Sequence, residues 1–176
     1  MSTRNIAAGA GALALVLLAG AARAETPNLG RPISPADIAA WDISILPDGQ
    51  GLPAGSGTAA QGAKVYAEQC AACHGDKGRG GINGSVVGNP PIDSIDAVKT
   101  VANFWGYATT LFDFIRRAMP STQPRTLSDE QVYAVVAYIL AENKIIGETD
   151  VMNAETLPKV KMPNRDNFII RFPDRI

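Results

Sequence analysis

Both cysteines of this 176-residue chain and its only histidine lie within one short stretch, Cys70-Ala71-Ala72-Cys73-His74. Thiols and an imidazole in that order admit four chemistries. A disulfide between Cys70 and Cys73 would close a tiny loop and constrain the unfolded chain little, so it explains the pair poorly. A thioredoxin-like redox pair needs a strand–helix–strand setting, which the residues around 70 do not offer. Zinc needs a fourth ligand, and no second cluster supplies one. Covalent haem attachment remains, and C-x-x-C-H is its signature. A helical turn places Cys70, Cys73 and His74 on one face, the thiols toward the porphyrin vinyl groups and His74 under the iron. One motif implies one haem c, held covalently by Cys70 and Cys73 and ligated by His74.

A second axial histidine is ruled out within the chain, so a thioether is the expected partner, and it raises the reduction potential relative to harder ligands. Beyond the initiator the methionines are Met119, Met152 and Met162. Met119 and Met162 each precede a proline, which stiffens a ligand loop. Met119 sits between two predicted helices and is the expected ligand. Met162 lies in a tail rich in Lys, Pro and Asn that would have to fold back to reach the iron. Met152 reads as a packing or surface residue.

The elements that must position these groups follow from periodicity and caps. Residues 58–73 predict a helix with Thr58 as N-cap. Gly62 and Tyr66 stand one turn apart on it. From Gly75 to Pro91 the sequence is rich in glycine and predicts a loop, as wrapping a haem edge requires. Residues 109–118 predict a short helix with Leu111, Phe112, Phe114 and Ile115 apolar, delivering Met119 and stopped by Pro120. Ser128 and Gln131 form a capping box. Val132, Val135, Val136, Ile139 and Leu140 then repeat at helical spacing, and Asn143 and Gly147 mark the end. No strand-like alternation recurs, so the expected class is all-α.

The first residues carry Arg4, an Ala/Leu-rich run from Ile6 to Ala22 and the small-x-small site Ala22-Arg23-Ala24. This predicts a secretory signal peptide over 1–24; an uncleaved membrane anchor is the alternative. Cleavage removes Arg4 and Arg23, leaving 14 basic against 17 acidic residues, a formal charge of −3. That balance gives no electrostatic footprint for nucleic acid. The expected mature protein is periplasmic, without a membrane segment, and divides into an N-terminal arm over 25–57, a haem domain over 58–147 and a C-terminal arm over 148–176. Both arms are rich in proline yet apolar in places, the second through Phe168, Ile169, Ile170 and Phe172. Packing on their own domain and embracing a partner are both open readings.

Helix, CxxCH, loop, Met-Pro and final helix together resemble a class I cytochrome c. The resemblance implies that first and last helices cross, with Gly62 and Tyr66 against Tyr138. It also implies a proline carbonyl, from Pro90 or Pro91, on the second ring nitrogen of His74. The stretches "WDISILPDGQGLPAGSG", "FWGYATTLFDFIRRAMP" and "LSDEQVYAVVAYILAEN" are similar to the cytochrome subunit of the bacterial sulfur dehydrogenase of the Sox pathway. They are also similar to cytochromes that accept electrons from molybdenum sulfite dehydrogenases. The former subunit commonly carries two haems, whereas this chain has one CxxCH.

The expected role is therefore electron transfer and not catalysis. Electrons would come from the catalytic subunit of a molybdenum sulfite or sulfur-compound dehydrogenase and pass to another cytochrome or an oxidase. The alternative is a haem enzyme with an exchangeable axial position. The sequence has no distal histidine and no cysteine outside the motif to serve it. Trp105, Tyr107, Arg116 and Arg117 flank the ligand loop and are candidates for propionate bonds or an exposed haem edge. Lys77 and Arg79 are weak candidates for steering an acidic partner.

Overall fold

The computed structural model describes residues 29–168. The predicted signal peptide at 1–24 and the cluster Ile169, Ile170 and Phe172 lie outside the described residues. The chain divides into two units, residues 1–41 and 42–176. The described part of the first holds helix α1, Pro35–Trp41. Ser34 caps it: its hydroxyl accepts from the Asp37 amide at 3.2 Å, and the Asp37 carboxylate accepts from the Ser34 amide at 2.9 Å. The latter bond is the main reason that the Asp37 carboxyl is held below its ordinary range.

The second unit runs β1 (Ser56–Thr58), α2 (Ala59–Gln69), α3 (Ala71–His74), α4 (Val101–Phe104), α5 (Ala108–Ala118), α6 (Asp129–Glu142) and β2 (Val151–Asn153). Single 3-10 turns come next, at Leu157–Lys159 and Arg165–Asn167. The expected all-α class is thus corrected by one antiparallel pair, with Gly57 opposite Met152. Strands of three residues are too short to show an alternation, which is why the sequence hid them. The pair fastens the start of α2 to the chain beyond α6. Gly57 is required there, because a Cβ would run into the backbone of Ala134.

Helix α2 begins at its predicted cap, Thr58, whose hydroxyl and backbone form a capping box with Gln61. The predicted single helix over 58–73 is broken, however. Cys70 adopts φ −123° and ψ −36°, separating α2 from the one-turn α3. Helix α6 starts at the Ser128–Gln131 box as expected. Its apolar stripe is buried, but so are Tyr133, Ala134, Ala137 and Ala141. A helix apolar nearly all round belongs at the centre of a core, and α6 is packed by α2, α5 and the β pair on different sides. Helices α2 and α6 cross closely: a Cβ on Gly62 would strike the Ala134 carbonyl, and the Tyr66 and Tyr138 rings lie 5.1 Å apart.

Much of the predicted N-terminal arm belongs to this unit. Ile45 and Leu52 pack on the core. The Tyr133 hydroxyl donates to the Pro53 carbonyl at 2.9 Å, and an Arg117 N–H to the Ile43 carbonyl at 3.0 Å. Beyond α6 the tail folds back as well, burying Met152, Leu157 and Met162. Among the described residues no helix is long and apolar enough to cross a membrane.

Candidate functional site

Beyond the break in the backbone at Cys70, the single helical turn α3 places Cys70, Cys73 and His74 along one wall of a cavity of about 330 Å³. Helix α5 also lines it, through Leu111, Phe114 and Ile115, and ends at Met119, which lines it too. Val135 and Ile139 of α6 complete the apolar lining. Met119 is the C-cap of α5, and its amide donates to the Ile115 carbonyl at 3.0 Å. The cavity therefore collects two thiols, an imidazole and a thioether. Met162, by contrast, is buried in the core and Met152 in β2, and neither lines the cavity.

The two cysteines are not bridged to each other. Burial, with the neighbouring Cys73 second, pushes the Cys70 thiol up to about 11. Burial likewise raises the phenol of Tyr66, whose hydroxyl donates to the Gly75 carbonyl at 3.3 Å. That bond ties α2 to the residue after the motif.

The expected proline carbonyl is not the partner of His74. The imidazole Nδ1 lies 3.1 Å from the Gly84 carbonyl. Nδ1 carries the proton when it donates to a carbonyl, which leaves the lone pair of Nε2 for a metal. The Pro90 carbonyl is occupied elsewhere, accepting from the Asn103 side chain at 2.9 Å. The loop bends back to bring Gly84 under His74, and Gly81 and Gly84, at φ 73° and 77°, supply the turn. A Cβ at Gly81 would meet the Cys73 carbonyl; at Gly84 the space is open.

Several positioning residues went unread in the sequence. Thr100 and Asn103 form a capping box for α4, and Asn103 also bonds the Val98 carbonyl at 2.9 Å. A Thr followed three residues later by Asn was the available signal. Asn143, expected only as a helix end, pins the loop: its side chain accepts from the Gly88 amide at 3.0 Å and donates to the Val86 carbonyl at 3.3 Å. Lys99 lines the cavity, its ammonium held by the Ile95 carbonyl at 2.8 Å.

Of the four flanking candidates only Trp105 lines the cavity, stacked edge-on against Phe114 with ring centroids 5.5 Å apart. Tyr107 instead carries the Arg165 guanidinium over its ring at 4.1 Å. Arg116 and Arg117 pair with Asp129 and Asp113, at 2.8 and 2.7 Å. Lys77 sits in the turn after the motif at φ 50°.

This donor set fits haem. A largely apolar cavity offers thiols for covalent attachment, an imidazole whose Nδ1 meets a carbonyl and a soft thioether, without competing buried polar groups left unbonded among the described residues. It fits an isolated metal ion poorly, and no cluster of three acidic, thiol or imidazole side chains with metal-binding geometry occurs among the described residues.

Comparison with known proteins agrees. The family model described as cytochrome c oxidase, cbb3-type, subunit III matches residues 57–139. The thiosulfate dehydrogenase of Stutzerimonas stutzeri (strain A1501) is 34% identical over 113 residues, covering 56% of this chain. The match spans 35% of that relative's length. A chain in the crystal structure of the sulfane dehydrogenase SoxCD from Paracoccus pantotrophus aligns at 35% identity with a TM-score of 0.72, over 85% of this chain and 75% of that one. The cavity, the motif that lines it and these likenesses together make the chain a member of the c-type cytochrome family.

Proposed function

We propose that this protein is a periplasmic mono-haem cytochrome that takes single electrons from a molybdenum sulfite or sulfur-compound dehydrogenase and passes them to the respiratory chain. The observation that carries this reading is that His74 and Met119 line one cavity together with Cys70 and Cys73. When bound, haem c supplies a one-electron iron couple. The chain supplies the rest. Cys70 and Cys73 would anchor the macrocycle, and His74, through Nε2, and Met119, through its sulfur, would hold the iron. Leu111, Ile115 and Val135 exclude water from the site. An imidazole and a thioether lining one cavity would together hold the iron, which favours a carrier over an enzyme.

The sulfur context rests on the two dehydrogenase relatives, and the exported location on the N-terminal segment. The test is purification from the native periplasm, followed by a search for a co-eluting molybdenum protein and addition of sulfite or thiosulfate. Co-elution with rapid haem reduction is the expected result. A lone cytochrome that neither compound reduces would refute the sulfur assignment while leaving electron transfer intact. A haem with an exchangeable axial position as purified would refute the carrier role itself.

A further inference from the structure

A small pocket of about 120 Å³ shares no lining residue with the haem cavity and is lined by Ile43, Arg116, Arg117 and Arg125. Its chemistry is unusual for so small a space. The two carboxylates nearby are engaged at the Nε edges, Asp129 on Arg116 and Asp113 on Arg117. Arg117 spends one further N–H on the Ile43 carbonyl. The remaining N–H groups of these forks have no hydrogen-bond partner among the described residues. Arg125 makes no ion pair there either. Three cations against two carboxylates leave net positive charge at the pocket.

Arg125 stands at φ 64°, a left-handed backbone that Lys77 and Lys144 also adopt, so the case for the pocket rests on its charge and its room. A water requires roughly 10–15 Å³ of comparable volume, so this pocket has room for a guest of several heavy atoms. Guanidinium forks favour a planar or tetrahedral array of oxygens over a spherical anion.

We propose that the Arg116–Arg117–Arg125 pocket binds a small inorganic oxyanion of the sulfate or phosphate type. Arg116 and Arg117 stand in the last turn of α5, just before Met119, and Arg125 stands in the loop after it. A bound oxyanion thus ties together the two ends of the Met119 loop, and the segment at Ile43 with them. The negative end of α5 opposes an anion, so binding is weak and competes with salt. The inference is independent of the sulfur reading, since phosphate shares the shape and charge.

The experiment uses the holoprotein, replacing sodium chloride by sodium sulfate at matched ionic strength and following the melting temperature. Wild type should show a saturable rise. In Arg125→Gln the half-saturating concentration should increase about tenfold, the scale of one lost charge-assisted contact. Lys161→Gln, which removes an exposed charge that does not line the pocket, should behave as wild type. A linear rise of equal size in wild type and Arg125→Gln would be general salt exclusion and would overturn the proposal, as would an equal loss in Lys161→Gln. Should Arg125→Gln fold poorly, amide NMR of the reduced wild-type holoprotein decides. Saturable sulfate shifts confined to residues around 116, 117 and 125 support the site, and their absence overturns it.

Discussion

The two walls of the haem cavity are built on different principles. One is made by helices: Leu111 and Ile115 of α5 and Val135 and Ile139 of α6 are buried side chains fixed by packing. The other is made by the loop after Cys73, where glycines, backbone carbonyls and a few asparagine side chains do the holding. The Asn83 amide donates to the Cys73 carbonyl at 2.9 Å, and the Val86 and Val87 amides both donate to the Gly78 carbonyl at 2.9 Å. The first wall resists change through volume, the second through hydrogen-bond geometry. The proposed axial ligands divide between them, with Met119 on the helical wall and His74 answering to the loop. Substitutions on the two walls should therefore fail in different ways.

The largest effect belongs to the helix crossing. Gly62→Val would push a branched side chain into the Ala134 carbonyl and the Tyr138 Cβ, the latter only 2.7 Å from an added Cβ. Backbone of α6 has nowhere to move, since that helix is packed on several sides. Destabilisation of more than about 3 kcal/mol is expected, in the range reserved for severe overpacking. Urea unfolding of the holoprotein measures it. A loss below about 1 kcal/mol would mean that the helices are free to separate and that the helical wall is less rigid than its packing implies.

Next come the methionines, which separate ligation from packing. Met119→Ala should remove the low-spin His/Met spectrum and lower the midpoint potential. Met162→Ala should keep both and instead cost about 2–5 kcal/mol of stability, as truncating a buried core side chain does. Optical spectra and redox titration read the first, and denaturant unfolding the second. The opposite pattern would exchange the two assignments.

This contrast also explains what the sequence could tell. The helical wall was legible because Val132, Val135, Val136, Ile139 and Leu140 recur with the helix period, and because Ser128 and Gln131 announce the start. CxxCH was legible because its chemistry demands those residue types. The loop wall was not. Any residue carries a carbonyl, so nothing in the side-chain pattern distinguishes Gly84 from Pro90 as the partner of His74. Helix α4 has four residues, too few for a period, and its cap at Thr100 was the one readable mark. The β pair was invisible for the same reason. Residues 42–57 looked like an arm because they have no period, yet Ile45, Leu52 and the Pro53 carbonyl attach them to the core.

On the loop wall, two glycines make a graded test. Gly81→Ala brings both a disfavoured left-handed backbone angle and a collision with the Cys73 carbonyl, whereas Gly84→Ala brings the angle alone. About 1–2 kcal/mol is expected from the left-handed strain, and Gly81→Ala should lose more. Thermal unfolding of the two holoproteins ranks them. Equal losses would show that the loop relaxes around a new Cβ. The potential offers a finer reading: Gly81→Ala displaces the turn that carries Gly84 to His74, so it should shift the midpoint more than Gly84→Ala does.

The smallest effect tests how firmly the helical wall holds its outer segment. Tyr133 of α6 is buried, with its hydroxyl on the Pro53 carbonyl, and burial pushes its phenol up to about 12. The ordinary value of 10.0 applies in the unfolded chain. Below that pH both states keep the proton and the contribution of the neutral phenol is complete. As pH rises from 10 toward 12 the unfolded chain ionises first, so this contribution falls. Tyr133→Phe loses the hydrogen bond, about 1 kcal/mol at neutral pH, but also loses this titration. The stability difference between wild type and variant should therefore shrink above pH 10. Tyr66 titrates in both proteins and cancels in the difference. A difference that stayed constant to pH 12 would mean that the phenol is not protected by burial, and that residues around Pro53 lift from α6 more readily than the core beneath them.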